Sequence, residues 1–350
     1  MPNFCCDRLA PYTFQSVFSF LKCHTNLNLM THPPSKLSRT YFRLFPEEKQ
    51  VVWNNPCDDK RHMEIWSEKR KKNCNKLPQV LVVGPQKTGT RALYDFLKLH
   101  PSIVSNYRRK DTGERELQFF SGRRSRYAEG LDWYFDHFPV VNQSVVMFEK
   151  SATYFDGEDV PQRAHRLLPH AWIVVIVTPP GDRAYSWYQH MRAYNDKTAT
   201  KYSFKEVLLA GADSPSSLVS LRTQCLRPGH YAAHLERWLS YYEPSRLLVI
   251  DGLQLREDPV TVMNNIQQAL QLPSHHQYDN SLVFDSDKGF YCMKILGKKK
   301  CLGEDKGRKY PLMDDFSSKW LQDYYSKSNE SLERLLTKLG LPVPSWLVVA

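Results

Sequence analysis

The sequence predicts an α/β protein, a parallel sheet covered by helices on both faces and built as one three-layer domain. Three observations carry this. Short, continuous, β-branched runs such as Gln79 to Val83 and Trp172 to Val177 have the composition of strands buried on both faces. Stretches with the apolar period of helices lie between them, so strands and helices alternate, as βαβ units require. The first run ends in Gly84 and enters a turn bearing lysine and glycine that opens a helix.

Taken in order, residues 1–40 show no sustained period and contain Pro33-Pro34, which predicts a flexible tail. Residues 41–77 are charged and aromatic, with the run Lys69-Arg70-Lys71-Lys72, and read as a linker wrapping the domain. The domain itself is expected over 78–345. After the first strand, Leu93, Phe96 and Leu97 recur at helical spacing from Thr90 to His100, and Pro101 stops the helix. Val145 to Phe148 is a strand, Pro161 to Leu168 a helix with proline in its first turn, and Trp172 to Val177 the most hydrophobic strand. Helices follow over Asp182–Tyr194 and His230–Tyr242, then a strand at Leu247–Ile250 and a helix at Pro259–Leu272. A last helix covers Ser317–Leu339, closed by Gly340 and Pro342.

Composition narrows the function classes. With 41% apolar and 13% aromatic residues in 350, a substantial core forms and wholesale disorder is excluded. The longest unbroken apolar run, Ala171 to Val177, is far short of the ~20 residues that span a bilayer, so no membrane helix is expected. The apolar patch Phe14 to Leu21 is broken by Gln15 and Ser16 and lacks a basic leader, so no signal peptide is expected either. The net charge is +11, and residues 288–309 hold eight basic against two acidic side chains. Such a field attracts nucleic acid, acidic lipid, nucleotide or sulfated sugar, or belongs to a solvated lysine-rich loop.

Eight cysteines form no C-x-x-C pair, which argues against zinc ribbons and thioredoxin-like motifs; Cys5, Cys6, Cys23 and His24 read as a chance cluster. Cys292 and Cys301 bracket the basic stretch and, if oxidised, would close a short ring in an oxidising compartment. Sequons at Asn142 and Asn329 agree with a lumenal address.

The turn Gly84-Pro85-Gln86-Lys87-Thr88-Gly89-Thr90-Arg91 is an anion cradle. Gly89 permits a tight turn, the free N–H groups of the helix start face a ligand, and Lys87 adds a full charge. It is not a nucleoside-triphosphate loop, because the lysine precedes Gly89 by two residues and no downstream strand ends in an obvious magnesium-binding Asp. Nucleotide phosphate binding without Mg²⁺ is the sharper inference.

Gly84 to Thr90 resembles the 5′-phosphosulfate loop of Golgi sulfotransferases that use 3′-phosphoadenylyl sulfate. Glu116-Leu117-Gln118-Phe119-Phe120, Phe148-Glu149-Lys150-Ser151-Ala152, Asp182 to His190 and Lys306-Gly307-Arg308-Lys309-Tyr310-Pro311 resemble the sulfotransferase domain of the heparan sulfate N-deacetylase/N-sulfotransferases. Asn55 to His62 is similar to the segment joining that family's two domains. Departures are Glu114-Arg115-Glu116 in place of adjacent acids, Thr178-Pro179-Pro180-Gly181 in place of an Asn-Pro turn, and a Cys292–Cys301 loop one residue shorter.

The resemblance implies a sulfotransferase fold, with a P-loop-like phosphosulfate-binding loop on a parallel sheet. It also implies transfer of a sulfuryl group from 3′-phosphoadenylyl sulfate to the free amino group of glucosamine in heparan sulfate or heparin precursor, without a metal. Glu116 is then the base, Lys87 meets the leaving phosphate, and His190 faces the acceptor. Gln86, Lys87, Thr88, Gly89, Thr90, Arg91, Arg183, Ser186, Lys306, Gly307, Arg308, Lys309 and Tyr310 hold the donor, while Lys150, Arg108, Arg109 and Lys110 grip the glycan. A Cys292–Cys301 disulfide and a Golgi-lumen address are expected on the same ground. No nucleic-acid partner is expected, and membrane association only through an anchor absent from this chain. A chain of 350 residues leaves no room for the deacetylase domain, so no deacetylation is expected of it. An O-sulfotransferase of the same polymer and a silent glycan-binding homologue are the alternatives.

Overall fold

The computed structural model describes residues 77–348 except 110–112, 114, 122, 142–144, 273–275 and 304–309. The tail, the linker up to residue 76, Lys110, Glu114, the sequon at Asn142, and Lys306, Gly307, Arg308 and Lys309 lie outside the described residues.

Five strands form a parallel sheet in the order β2-β3-β1-β4-β5: β1 (Val80–Gly84), β2 (Ile103–Ser105), β3 (Val146–Lys150), β4 (Trp172–Val177) and β5 (Leu247–Asp251). Alternation explains why β1 and β4 read as unbroken apolar runs. Leu81, Val83, Ile173, Val175 and Val177 enter one core, and Val80, Val82, Val174 and Ile176 the other. Both faces therefore need cover.

Helices α1 (Thr90–Leu97), α2 (Gly130–Phe135), α3 (Val160–Leu167) and α4 (Pro180–Ala193) punctuate the first four strands. After α4 come α5 (Lys197–Lys201), α6 (Phe204–Leu209), α7 (Ser216–Leu226) and α8 (Tyr231–Leu239) before β5. Beyond β5 lie α9 (Gly252–Glu257) and α10 (Pro259–Ala269). Helix α11 (Asp315–Leu339) starts on the Asp314 cap and ends at Gly340, whose φ of 65° is left-handed. Residues of α4 to α7 and α11 build a third apolar cluster around Tyr188, Leu221 and Leu321.

The sequence reading missed β2, α2, α5 to α7 and α9. It also took residues 292–301 as a loop. They belong to a second, antiparallel sheet of β6 (Leu282–Asp285), β7 (Phe290–Ile295) and β8 (Lys298–Lys300). Leu282 and Met293 anchor it in the core, while Lys298, Lys299 and Lys300 stand exposed. The expected Cys292–Cys301 disulfide closes this hairpin, with a Cα separation of 4.3 Å. No described helix is long and apolar enough to cross a membrane.

Candidate active site

Strand β1 sits between β3 and β4, where the strand order reverses, and an open α/β sheet binds ligands in the crevice at that point. The loop that leaves β1 is unusually turned. Gly84 (φ 116°), Lys87 (φ 73°) and Gly89 (φ 100°) are all left-handed. At Gly84 only hydrogen fits, because a Cβ would stand 2.4 Å from the Ala152 carbonyl oxygen. Thr88 folds inward and donates from Oγ1 to Pro85 O at 2.8 Å. Gly89 caps α1 without a side-chain acceptor, so the amides of the first turn keep their donors for a ligand. Gln86 and Lys87 are half-buried at the same edge, and Thr90 is buried.

A second glycine closes the loop from behind. A Cβ on Gly252, at the start of α9, would stand 2.4 Å from Thr178 Cγ2 and 3.1 Å from Thr88 O. The Thr178 hydroxyl in this packed corner is buried without a partner among the described residues.

β5 extends one residue further than expected and ends on Asp251. Its carboxylate is engaged by its own chain. Leu253 N donates to Oδ1 at 2.9 Å, and Ser345 N and Oγ donate to Oδ2 at 2.8 and 2.7 Å. Asp285, Cys292 and Cys301 also lie together, but with both sulfurs in the disulfide and Asp285 paired to Lys299 at 2.8 Å they offer no ligand set. The Lys299 ammonium holds the Asp285 carboxyl below its usual range.

Glu116 reaches the loop through Ala152. The Ala152 N–H donates to Glu116 Oε2 at 3.2 Å, while its carbonyl oxygen abuts Gly84. Lys150, at the end of β3, donates from Nζ to Glu116 Oε1. Its side chain is only 5% exposed, so Lys150 is the inner partner of Glu116 rather than an open glycan contact. Of the other basic residues expected to meet the glycan, Arg108 is exposed and Arg109 buried.

Arg91 and Arg115 are both held by Asp95, at 2.6 and 3.1 Å. The cations of Arg91, Lys98, Arg115 and Lys150 stand 5.4–5.9 Å from the Tyr94 ring centroid. Arg91 thus points along α1 toward Asp95. Arg115, Tyr94 and Asp95 escaped the sequence reading, although the i,i+4 spacing of Arg91 and Asp95 signals their pairing.

Arg183 lies beneath the loop and is 1% exposed. Its Nη1 donates to Gln86 O at 3.3 Å, and its Nη2 donates to Gln224 O at 3.3 Å and to Cys225 O. It braces the loop against the C-terminal end of α7 instead of opening toward solvent. The neighbouring Cys225 thiol is pushed up to about 12 by burial and is inert as a nucleophile. Ser186 and His190 share one face of α4, and the His190 ring packs against Trp187 and Tyr194 at centroid distances of 5.4 and 4.6 Å. Tyr185 donates from its hydroxyl to Pro311 O at 3.0 Å, which draws half-buried Tyr310 and its segment's end to α4.

A sulfotransferase domain model matches residues 77–335 of the chain. The chain is 52% identical over 350 residues to human "Bifunctional heparan sulfate N-deacetylase/N-sulfotransferase 3", covering 99% of itself and 40% of that protein. It is 53% identical over 362 residues to the Drosophila melanogaster "Bifunctional heparan sulfate N-deacetylase/N-sulfotransferase", covering 34% of that protein. It therefore spans two fifths or less of these relatives' length. Among solved structures, a sulfotransferase from Alicyclobacillus acidocaldarius shares the fold, with a TM-score of 0.56 at 20% identity, over 77% of this chain and 98% of that one.

Proposed function

The chain belongs to the sulfotransferase domain family, and from that premise we propose that it moves a sulfuryl group from 3′-phosphoadenylyl sulfate to the free amino group of glucosamine in heparan sulfate or its precursor. The observation that carries this reading is the convergence beyond the C-terminal ends of β1, β3 and β4 of the uncapped start of α1 with its loop, Glu116 and α4.

In this reading the phosphosulfate lies on the α1 amides, with Lys87 against its bridging oxygen. Glucosamine nitrogen attacks sulfur in line, the sulfur–oxygen bond to phosphate breaks, and 3′-phosphoadenosine 5′-phosphate leaves with the electron pair. Like phosphoryl transfer, the reaction needs mainly positioning and charge stabilisation. Glu116 takes the proton that nitrogen loses, an effect worth ~10²–10⁴. Lys150 and Ala152 N–H hold that carboxylate in place. Arg183 keeps the loop in shape from below, and Ser186, His190 and the 306–310 segment complete the donor and acceptor contacts. The charged rim around Tyr94 suits a polyanionic chain. The Cys292–Cys301 disulfide favours an oxidising lumen, and the Golgi is the address we propose.

The test is incubation with labelled donor and N-deacetylated polymer, beside a fully N-acetylated control. Label should enter only the deacetylated chain, and nitrous acid at low pH should cleave the product at its N-sulfated residues. Equal label in both polymers would reassign the acceptor to a hydroxyl.

A further inference from the structure

We propose that Glu149, fully buried in β3, is a positioning residue that holds Glu116 in place through two hydrogen-bond relays. The inference rests on the assignment of Glu116 as base made above. Alternate residues of the segment after Glu116 are pinned one after another. Glu116 is bound by Lys150 and the Ala152 amide. Two residues on, Gln118 N–H donates to Ser151 Oγ at 2.9 Å, and the Ser151 hydroxyl donates to Glu149 Oε1 at 2.8 Å. Two further on, Phe120 N–H donates to the Tyr154 oxygen at 3.2 Å, and the Tyr154 hydroxyl donates to the same Oε1 at 2.6 Å. Tyr134 donates to Glu149 Oε2 at 2.6 Å.

The direction of both relays follows from proton counting. Ser151 and Tyr154 each accept an amide proton and have one hydroxyl proton to give, and only the carboxylate receives it. Bonds to a carboxylate are the strong kind, and in a chain each polarises the next. Burial pushes the Glu149 carboxyl above its usual range, against the opposing pull of its three hydroxyl donors. The backbone supplies an independent sign. Gln118 is left-handed, with φ 52°, and a non-glycine residue stays there only where its surroundings over-determine it. One relay ends on that residue's own N–H and the other two residues on, and together they supply the constraint.

Ser151→Ala cuts one relay and Tyr154→Phe the other, each leaving Glu149 in place. Either should lower kcat about tenfold, the effect of a slightly misplaced catalytic group. The KM for 3′-phosphoadenylyl sulfate and the calorimetric Kd for 3′-phosphoadenosine 5′-phosphate should stay within about twofold, and Ser151→Thr should restore most of the rate. The deciding measurement is a double-mutant cycle in the full chain. In a Glu116→Gln background, where there is no base left to position, the same substitutions should change the residual kcat by less than about twofold. Equal losses in both backgrounds, or unchanged kcat in the parent, would overturn the proposal. If Glu116→Gln itself keeps full activity, the base assignment fails first, so the two failures are told apart; using both relays guards against one variant that does not fold.

Discussion

At Lys87 the backbone turns left-handed, and the half-buried residue stands two positions before Gly89, the cap of α1. Lys87→Ala should lower turnover ~10²–10³, as the loss of one charge-stabilising donor does. A radiolabel assay checks this, with circular dichroism to show that the fold survives. Arg183 makes a different prediction. Removing its guanidinium strands the Cys225 carbonyl in the interior and takes a donor from those of half-buried Gln86 and Gln224. Arg183→Met should therefore cost about 3 kcal/mol in urea unfolding and raise the KM for the donor through a slackened loop. The resemblance set Arg183 in the donor pocket, but the direction of its side chain depends on where α7 ends. Glu149 was legible only as part of a motif, because its three hydroxyl partners come from residues 134, 151 and 154.

Among the elements, the long apolar strands and most long helices declared themselves, since a sheet buried on both faces requires continuous β-branched runs. Helix α7, eleven residues long, did not, because its apolar residues are not gathered on one face. Short elements did not. β2 has three residues, and α5 and α6 only five and six, too few to repeat an apolar period. Their caps were nonetheless written plainly. Ser203 and Glu206 form a capping box at α6, and Asp196 caps α5. Ser203→Ala should cost about 1 kcal/mol in thermal unfolding. The β7–β8 hairpin hid behind its lysines, whose charge suggested a loop. Its disulfide closes a sequence separation of nine residues, and loop-closure entropy makes that worth about 2–3 kcal/mol. Replacing both cysteines with serine should lower the urea midpoint by a corresponding amount, while reductant changes the variant no further.

On the scale of the whole molecule, stability should depend on acid through buried imidazoles. Burial lowers the His234 pKa to about 4, and it lowers His165 and His230 in the same direction. The neutral His234 ring accepts at Nδ1 from Arg237 and donates from Nε2 to Arg227 O. As pH falls below ~6.5 the unfolded chain takes up protons that the folded chain refuses, so stability is complete above that value and declines toward pH 4. His234, the most deeply buried of the three, contributes the largest share across that window. Urea midpoints measured between pH 7.5 and 4.5 should fall accordingly, and His234→Gln should flatten the curve. The net charge of +11 sets a second global response. Heparin should elute at high salt, and the KM for a long acceptor should rise steeply with ionic strength while that for the donor moves less.

The amino-acid order alone determined the α/β class and the strand–loop–helix that presents Lys87, because each is a property of contiguous residues; the pairing of cysteines 292 and 301 was expected only from the family resemblance. Tertiary structure decided the rest: that Lys150 turns inward to Glu116, that Arg183 braces the loop from below, and that Ser151 and Tyr154 tie the 116–120 segment to a buried carboxylate. The contacts of Lys150 with Glu116, of Arg183 with Gln86 and Cys225, and of Ser151 and Tyr154 with the 116–120 segment join residues dozens of positions apart, and only the packing of loops and helices around the sheet brings them within hydrogen-bonding distance.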